Sequence, residues 1–97
     1  MTLHIITKVI SSEEDKNLIS AAIQKEDDCL FIQSGVYNCL NESVLGRLTD
    51  VKAIGLYVLS SDQQSRGIQI LPPEPILAIS MKEFVELSVK HTKSITW

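Results

Sequence analysis

Ala53-Ile54-Gly55-Leu56-Tyr57-Val58-Leu59 is the longest continuous apolar stretch of this chain. It contains the β-formers Ile54, Tyr57 and Val58 and shows no polar alternation. A strand that is apolar on both faces is covered on both faces. That is the position of a central strand in a parallel sheet with helices above and below it.

Leu3-His4-Ile5-Ile6 and Cys29-Leu30-Phe31-Ile32 read as two earlier strands and Ile76-Leu77-Ala78-Ile79 as a fourth. Helical segments separate them. Ser11 and Glu14 stand at capping-box spacing, the acidic Glu13, Glu14 and Asp15 suit a helix N-terminus, and Leu18, Ala21 and Ala22, widened by Ile19 and Ile23, mark one helical face. Gln33-Ser34-Gly35 ends the second strand in a tight turn. Val36 to Leu48 reads as helix with a break near Asn41. Ser60 to Arg66 reads as a short helix or turn closed by Gly67. Leu71-Pro72-Pro73-Glu74-Pro75 reads as a stiff connector, because its three prolines remove donors and fix φ. Ser80 and Glu83 form a second capping box. It opens an amphipathic C-terminal helix that passes through Phe84, Val85, Leu87 and Val89 to a basic end at Lys90, His91 and Lys93. The order β-α-β-α-β-α-β-α predicts one α/β domain over residues 1–97, a mostly parallel four-stranded sheet with helices on both faces.

Composition narrows the function. The 97 residues carry a net charge of −3, which disfavours direct contact with a nucleic-acid backbone. No uncharged stretch approaches the roughly 20 residues a membrane helix needs. The N-terminus lacks the basic region and long apolar stretch of a signal peptide, so a cytoplasmic location is expected and both cysteines are expected to stay reduced. Their spacing matches no zinc pattern and no CxxC motif.

The functional crevice of an open α/β sheet lies beyond the carboxyl ends of its strands. Here those ends supply Thr7-Lys8, Gln33-Ser34-Gly35, Ser60-Ser61-Asp62 and Ser80, a set with no thiol, no imidazole and one carboxylate. There is no glycine-rich phosphate loop, no histidine pair at metal-ligand spacing and no nucleophile elbow. Catalytic, cofactor and metal residues are therefore expected to be absent. Cys29 opens an apolar strand and reads as a small buried hydrophobe, and Cys39 reads the same way on the following helix. The competing reading for each is a reactive thiol. His4 reads as a satisfied core or interface residue. The cations around His91 suit a helix C-terminus on dipole grounds alone. Arg66-Gly67 reads as an ordinary helix end or as an anion anchor. The C-terminal helix spreads its apolar residues beyond one stripe, so one face can pack on the sheet while another meets a neighbour. Trp97, the only tryptophan, needs either the domain's own core or a partner. Phe84, Leu87, His91 and Trp97 are accordingly the candidate interface residues.

Three segments together resemble the TusB/DsrH family along the whole chain: Leu3-His4, Leu30-Phe31-Ile32-Gln33-Ser34-Gly35-Val36-Tyr37, and Phe84 to His91 leading to Trp97. Leu56-Tyr57-Val58-Leu59, Asp62 and Arg66-Gly67 lie between them. The resemblance implies a small DsrEFH-like sandwich. It implies TusC-like and TusD-like paralogues as partners in a heterohexamer, which relays persulfide sulfur from a TusA-like donor towards a TusE-like acceptor for 2-thiolation of the tRNA wobble uridine. In the TusD-like paralogue the sulfur-carrying cysteine lies near the loop and helix after the third strand. The matching stretch here, Ser60-Ser61-Asp62-Gln63-Gln64-Ser65-Arg66-Gly67, has no thiol, which implies a non-catalytic subunit. The alternatives are a DsrH-like subunit in sulfur oxidation and a persulfide carrier using Cys29 or Cys39. Some DsrH proteins carry a cysteine in the first helix, and the helix from Glu13 to Gln24 has none.

Overall fold

The computed structural model describes residues 2–51, 55–69 and 76–97. Strands β1 (Thr2–Ile6), β2 (Asp28–Phe31), β3 (Gly55–Leu59), β4 (Ile76–Ile79) and β5 (Lys93–Thr96) form one sheet in the order β4-β3-β2-β1-β5. All four pairings are parallel, with Leu3 opposite Asp28, Asp28 opposite Gly55, Leu56 opposite Ile76 and Thr2 opposite Lys93. The apolar run Leu56–Leu59 lies in β3, between β2 and β4, with Leu56 and Val58 in one apolar cluster and Tyr57 against the other, so both of its faces are covered. Ala53 and Ile54, which open the longer run in the sequence, and the proline connector of residues 71–75 lie outside the described residues.

The expected four strands are five. The tail after the C-terminal helix forms β5, on the free side of β1. Thr92, Ile95 and Thr96 are β-branched and favour extended backbone once the helix has ended, and β1 offers them an open ladder.

Helices α1 (Glu13–Ala22), α2 (Glu42–Val51), α3 (Ser60–Ser65) and α4 (Met81–Lys90) are joined by a 3-10 helix over Gln33–Leu40. The break expected near Asn41 is the junction of the 3-10 helix with α2. The Asn41 side-chain oxygen accepts from the N–H groups of Ser43 and Val44, capping α2. The cap of α1 is Ser12 rather than Ser11, with the Asp15 N–H donating to its hydroxyl at 3.0 Å. The Ser80–Glu83 box is complete in both directions, at 3.0 and 3.2 Å.

The helices divide between the two faces of the sheet. Ile19 of α1 and Ile23 just after it, Val36 and Cys39 of the 3-10 helix, and Val44, Leu45 and Leu48 of α2 pack on Ile6, Cys29, Phe31, Leu56 and Val58. On the other face Leu87 and Phe84 of α4 pack on Leu3, Leu30, Ile79, Ile5 and Tyr57. Burying each such aliphatic side chain contributes about 1.5–3 kcal/mol. Arg47 ties α2 to α1 through Glu13 and Asn17, both at 2.6 Å.

Candidate functional site

The carboxyl ends of the strands come together as the topology requires, and several of their polar groups bond to neighbouring segments. Beyond β1 and β5, the Thr7 N–H and hydroxyl both donate to the carbonyl of Trp97, at 3.0 and 2.6 Å. The buried Asn38 stitches the next loop to the 3-10 helix: its oxygen accepts from Ile10 N–H at 2.8 Å and its amide donates to Lys8 O at 3.0 Å. Gly35 sits so close to β1 that a Cβ there would lie 1.9 Å from the Ile6 carbonyl oxygen. Asp62, the only carboxylate expected in the crevice, accepts from Gln33 N–H at 2.7 Å. That bond holds Gln33 at a φ of 53°, a left-handed conformation unusual for a side-chain-bearing residue. Thr7, Gly35, Asn38 and Asp62 thus tie the strand-end loops to one another.

The group with the most chemical character lies elsewhere, inside the sheet. His4 Nε2 faces Asp27 Oδ2 at 3.0 Å, and His4 Nδ1 accepts from Trp97 Nε1 at 3.1 Å. An indole N–H can only donate, so Nδ1 is bare and the proton sits on Nε2, shared with the carboxylate. The Asp27 carboxylate also accepts from Thr2 N–H at 3.0 Å and Gln24 N–H at 2.9 Å. Burial pushes the Asp27 pKa up, and the donors at Gln24, His4 and Thr2 more than offset it, so the carboxyl is held below its ordinary value of 3.8. The two rings lie with centroids 6.2 Å apart and 25° between their planes.

An Asp–His pair supplies two of the three members of a nucleophile-activating triad. Here the second ring nitrogen is occupied by an indole donor. Cys29 is the register partner of His4 on β2, but the ring has no free nitrogen to serve it. The thiol is fully buried, and burial together with the Asp28 and Asp27 charges pushes its pKa up to about 12. A thiolate is the nucleophilic form, and this environment suppresses it. Cys39 is also buried.

His91 is buried on the opposite face. Leu87 O can only accept, so His91 Nδ1 donates to it, at 2.7 Å. Its Nε2 lies 2.8 Å from Asp28 Oδ2, ion-pair distance when the ring is protonated. Asp28 Oδ1 in turn accepts from Gly55 N–H at 3.1 Å. Tyr57 is pushed up by burial and by the Asp28 charge, so it stays a phenol.

Of the four candidate interface residues, Leu87 and His91 are buried within the chain's own fold, and Phe84 and Trp97 are half-buried against its two apolar clusters. The exposed apolar residues of the same helix are Met81, Val85 and Val89. A second exposed apolar group, Val9, Tyr37 and Leu40, belongs to the loop and 3-10 helix that Asn38 binds together. Asp27, Asp28 and Asn38 were not expected from the sequence. The Asp27-Asp28 pair preceding a strand and the lone Asn38 inside an apolar helix were the available signals. Among the described residues, no three His, Cys, Asp or Glu side chains are grouped to hold a metal ion, and no helix is long and apolar enough to cross a membrane.

A family model described as DsrH like protein matches residues 11–94. The chain belongs to the DsrH-like family. It is similar to Protein TusB of Photorhabdus laumondii, 32% identical over 88 residues that cover 86% of this chain and 87% of that protein. It is also similar to Protein TusB of Buchnera aphidicola from Acyrthosiphon pisum, 29% identical over 85 residues, covering 88% and 90%. Among solved structures, the YchN protein of Escherichia coli superposes with a TM-score of 0.74 at 14% identity, over 99% of this chain and 98% of that one. A Thermotoga maritima protein determined by solution NMR superposes with a TM-score of 0.60 at 24% identity, over 90% of each chain. These two likenesses speak for the fold alone.

Proposed function

We propose that this DsrH-like chain is the non-catalytic docking subunit of a cytoplasmic TusBCD-like complex. With TusC-like and TusD-like paralogues it passes persulfide sulfur from a TusA-like donor to a TusE-like acceptor, for 2-thiolation of the tRNA wobble uridine. The observation that carries this reading is the stretch after β3. Where the relay paralogue is expected to present its sulfur-carrying thiol, this chain has Asp62, engaged with Gln33 N–H. A carboxylate there would repel a thiolate rather than stabilise one. The similarity to proteins named TusB supports the choice of complex.

A subunit of a dimer of heterotrimers needs more than one contact surface. Two exposed apolar groups are available, Val9 with Tyr37 and Leu40, and the outer side of α4. Phe84, Leu87, His91 and Trp97 serve the second surface by seating α4 and β5 on the sheet, with Phe84 and Trp97 keeping part of their surface for a neighbour. The test is co-expression with the two paralogues followed by size-exclusion chromatography. Co-elution of all three chains is expected. Migration of this chain alone, with both partners present and folded, would sink the reading.

A further inference from the structure

Asp27, His4 and Trp97 form a chain of two hydrogen bonds. It runs from the residue before β2, through β1, to the residue after β5. The His4 ring at its centre is fully buried. Nε2–H serves Asp27, and the lone pair of Nδ1 takes the indole N–H. The ring is a donor on one side and an acceptor on the other only while one of its two nitrogens is bare. A protonated imidazole is a donor at both. Its Nδ1–H would face the indole N–H across 3.1 Å, two donors with no acceptor between them. Proton and indole compete for the same lone pair.

The charge beside the ring favours the proton. Asp27 lies 3.0 Å from Nε2, and its carboxyl is held below the ordinary value of 3.8. It is therefore ionised where an imidazole ordinarily titrates, near about pH 6.5. Cys29, the register partner of His4 on β2, stays a neutral thiol. Lys93 of β5, and Lys25 and Glu26 in the turn before Asp27, are exposed. Asp28 and His91 face each other on the opposite side of the sheet. The element that the proton would dislodge is lightly held. β5 stands at the edge of the sheet beside β1, and three of its four residues are exposed. Segments with so little buried surface open before the rest of a fold.

We propose that His4 is a proton-operated latch on β5: a proton taken up from solvent at Nδ1 breaks the Trp97 bond and releases β5 from β1, while Nε2–H stays on Asp27. The latch requires no paralogue, so it stands apart from the function proposed above. A buried donor left without an acceptor shifts an equilibrium by about ten- to hundredfold. By reciprocity, the docked indole holds off the proton by the same factor.

The full-length chain contains one tryptophan, so its emission reports on β5 directly. On acidification from about pH 8 to about pH 5, which spans the ordinary imidazole range, Trp97 emission should shift to the red. It should also become open to acrylamide quenching, while far-UV circular dichroism keeps its helical signal. His4→Asn keeps an acceptor near the position of Nδ1 and does not titrate, so it should hold Trp97 in place over the same range. In Trp97→Phe, proton NMR should show His4 titrating at least about one pH unit higher than in the parent, with His91 unmoved. That measurement does not depend on the folding of His4→Asn. An emission change that coincides with loss of the helical signal would overturn the proposal, as would no change in the folded parent. So would an unaltered pH response in folded His4→Asn, or a His4 titration no higher in Trp97→Phe than in the parent.

Discussion

The indole Nε1 of Trp97 donates to Nδ1 of His4 at 3.1 Å, joining residues 93 apart in the chain. The bond closes β5 onto β1 from the side-chain direction, while Trp97 N–H to Ile5 O at 2.7 Å and Thr7 N–H to Trp97 O at 3.0 Å close it along the backbone. An aromatic ring at the end of the sequence thus completes the chain's own sheet. Trp97→Phe keeps an aromatic ring, smaller than the indole, but removes the donor, leaving a buried acceptor on His4, and should cost about 1–2 kcal/mol. Trp97→Ala also removes packing against the core and should cost about 3 kcal/mol. Urea unfolding followed by circular dichroism measures both. A Trp97→Phe variant as stable as the parent would show that the hydrogen bond contributes nothing net.

Asp27 makes the stability of this arrangement pH-dependent. Its folded pKa is lowered, because the Gln24, His4 and Thr2 donors outweigh burial. A carboxylate of this kind contributes fully above its ordinary value of 3.8 and loses that contribution as pH falls through its lower folded value. Asp27→Asn should therefore be about 2 kcal/mol less stable than the parent at neutral pH. The difference should shrink as pH is lowered from about 5 towards 2. Denaturant titrations across that range provide the check, and a difference that stays constant would assign the acid dependence to other carboxylates.

What the sequence revealed and what it hid follow one physical division. Features made by neighbours in sequence were legible. The Ser80–Glu83 box, the break at Asn41 and the strand at Leu56–Leu59 each depend on residues a few positions apart. β5 was hidden because Lys93-Ser94-Ile95-Thr96 is a short edge strand, mostly exposed, with no buried face to impose an apolar period. The side of α4 that meets the sheet was hidden because its apolar residues occupy more than one stripe, and only the position of Leu3, Leu30 and Ile79 decides between them. Asp27 and Asn38 act by bonds that span 23 and 28 residues, to His4 and Ile10, which no local pattern records.

The two glycines nearest the crevice should respond in opposite ways. Gly35 needs its missing Cβ for space, since the Ile6 carbonyl would lie 1.9 Å away and is backbone in a central strand. Gly35→Ala must push the 3-10 helix off β1, and a loss of about 3 kcal/mol or failure to fold is expected. Gly67 needs its φ of +65°, with nothing within 4 Å of its added Cβ. Gly67→Asn, which tolerates that conformation, should stay within about 1 kcal/mol of the parent. Thermal melts of the two variants separate steric from conformational demand. Equal destabilisation would contradict the close approach at Gly35.

The thiols give the most direct check on whether this chain carries sulfur itself. Cys29 is fully buried, its pKa is pushed up to about 12, and the neighbouring His4 ring is committed at both nitrogens. Cys39 lies in the core between the 3-10 helix and α2. Neither should react with a thiol reagent in the native state at pH 7–8, and both should react at once in denaturant. Native-state labelling should then proceed only through opening of the structure, so its rate should rise in the destabilised Trp97→Ala and Asp27→Asn variants. Prompt stoichiometric labelling of either cysteine in the folded parent would revive the persulfide-carrier alternative. Slow labelling that tracks stability would confine both thiols to the core.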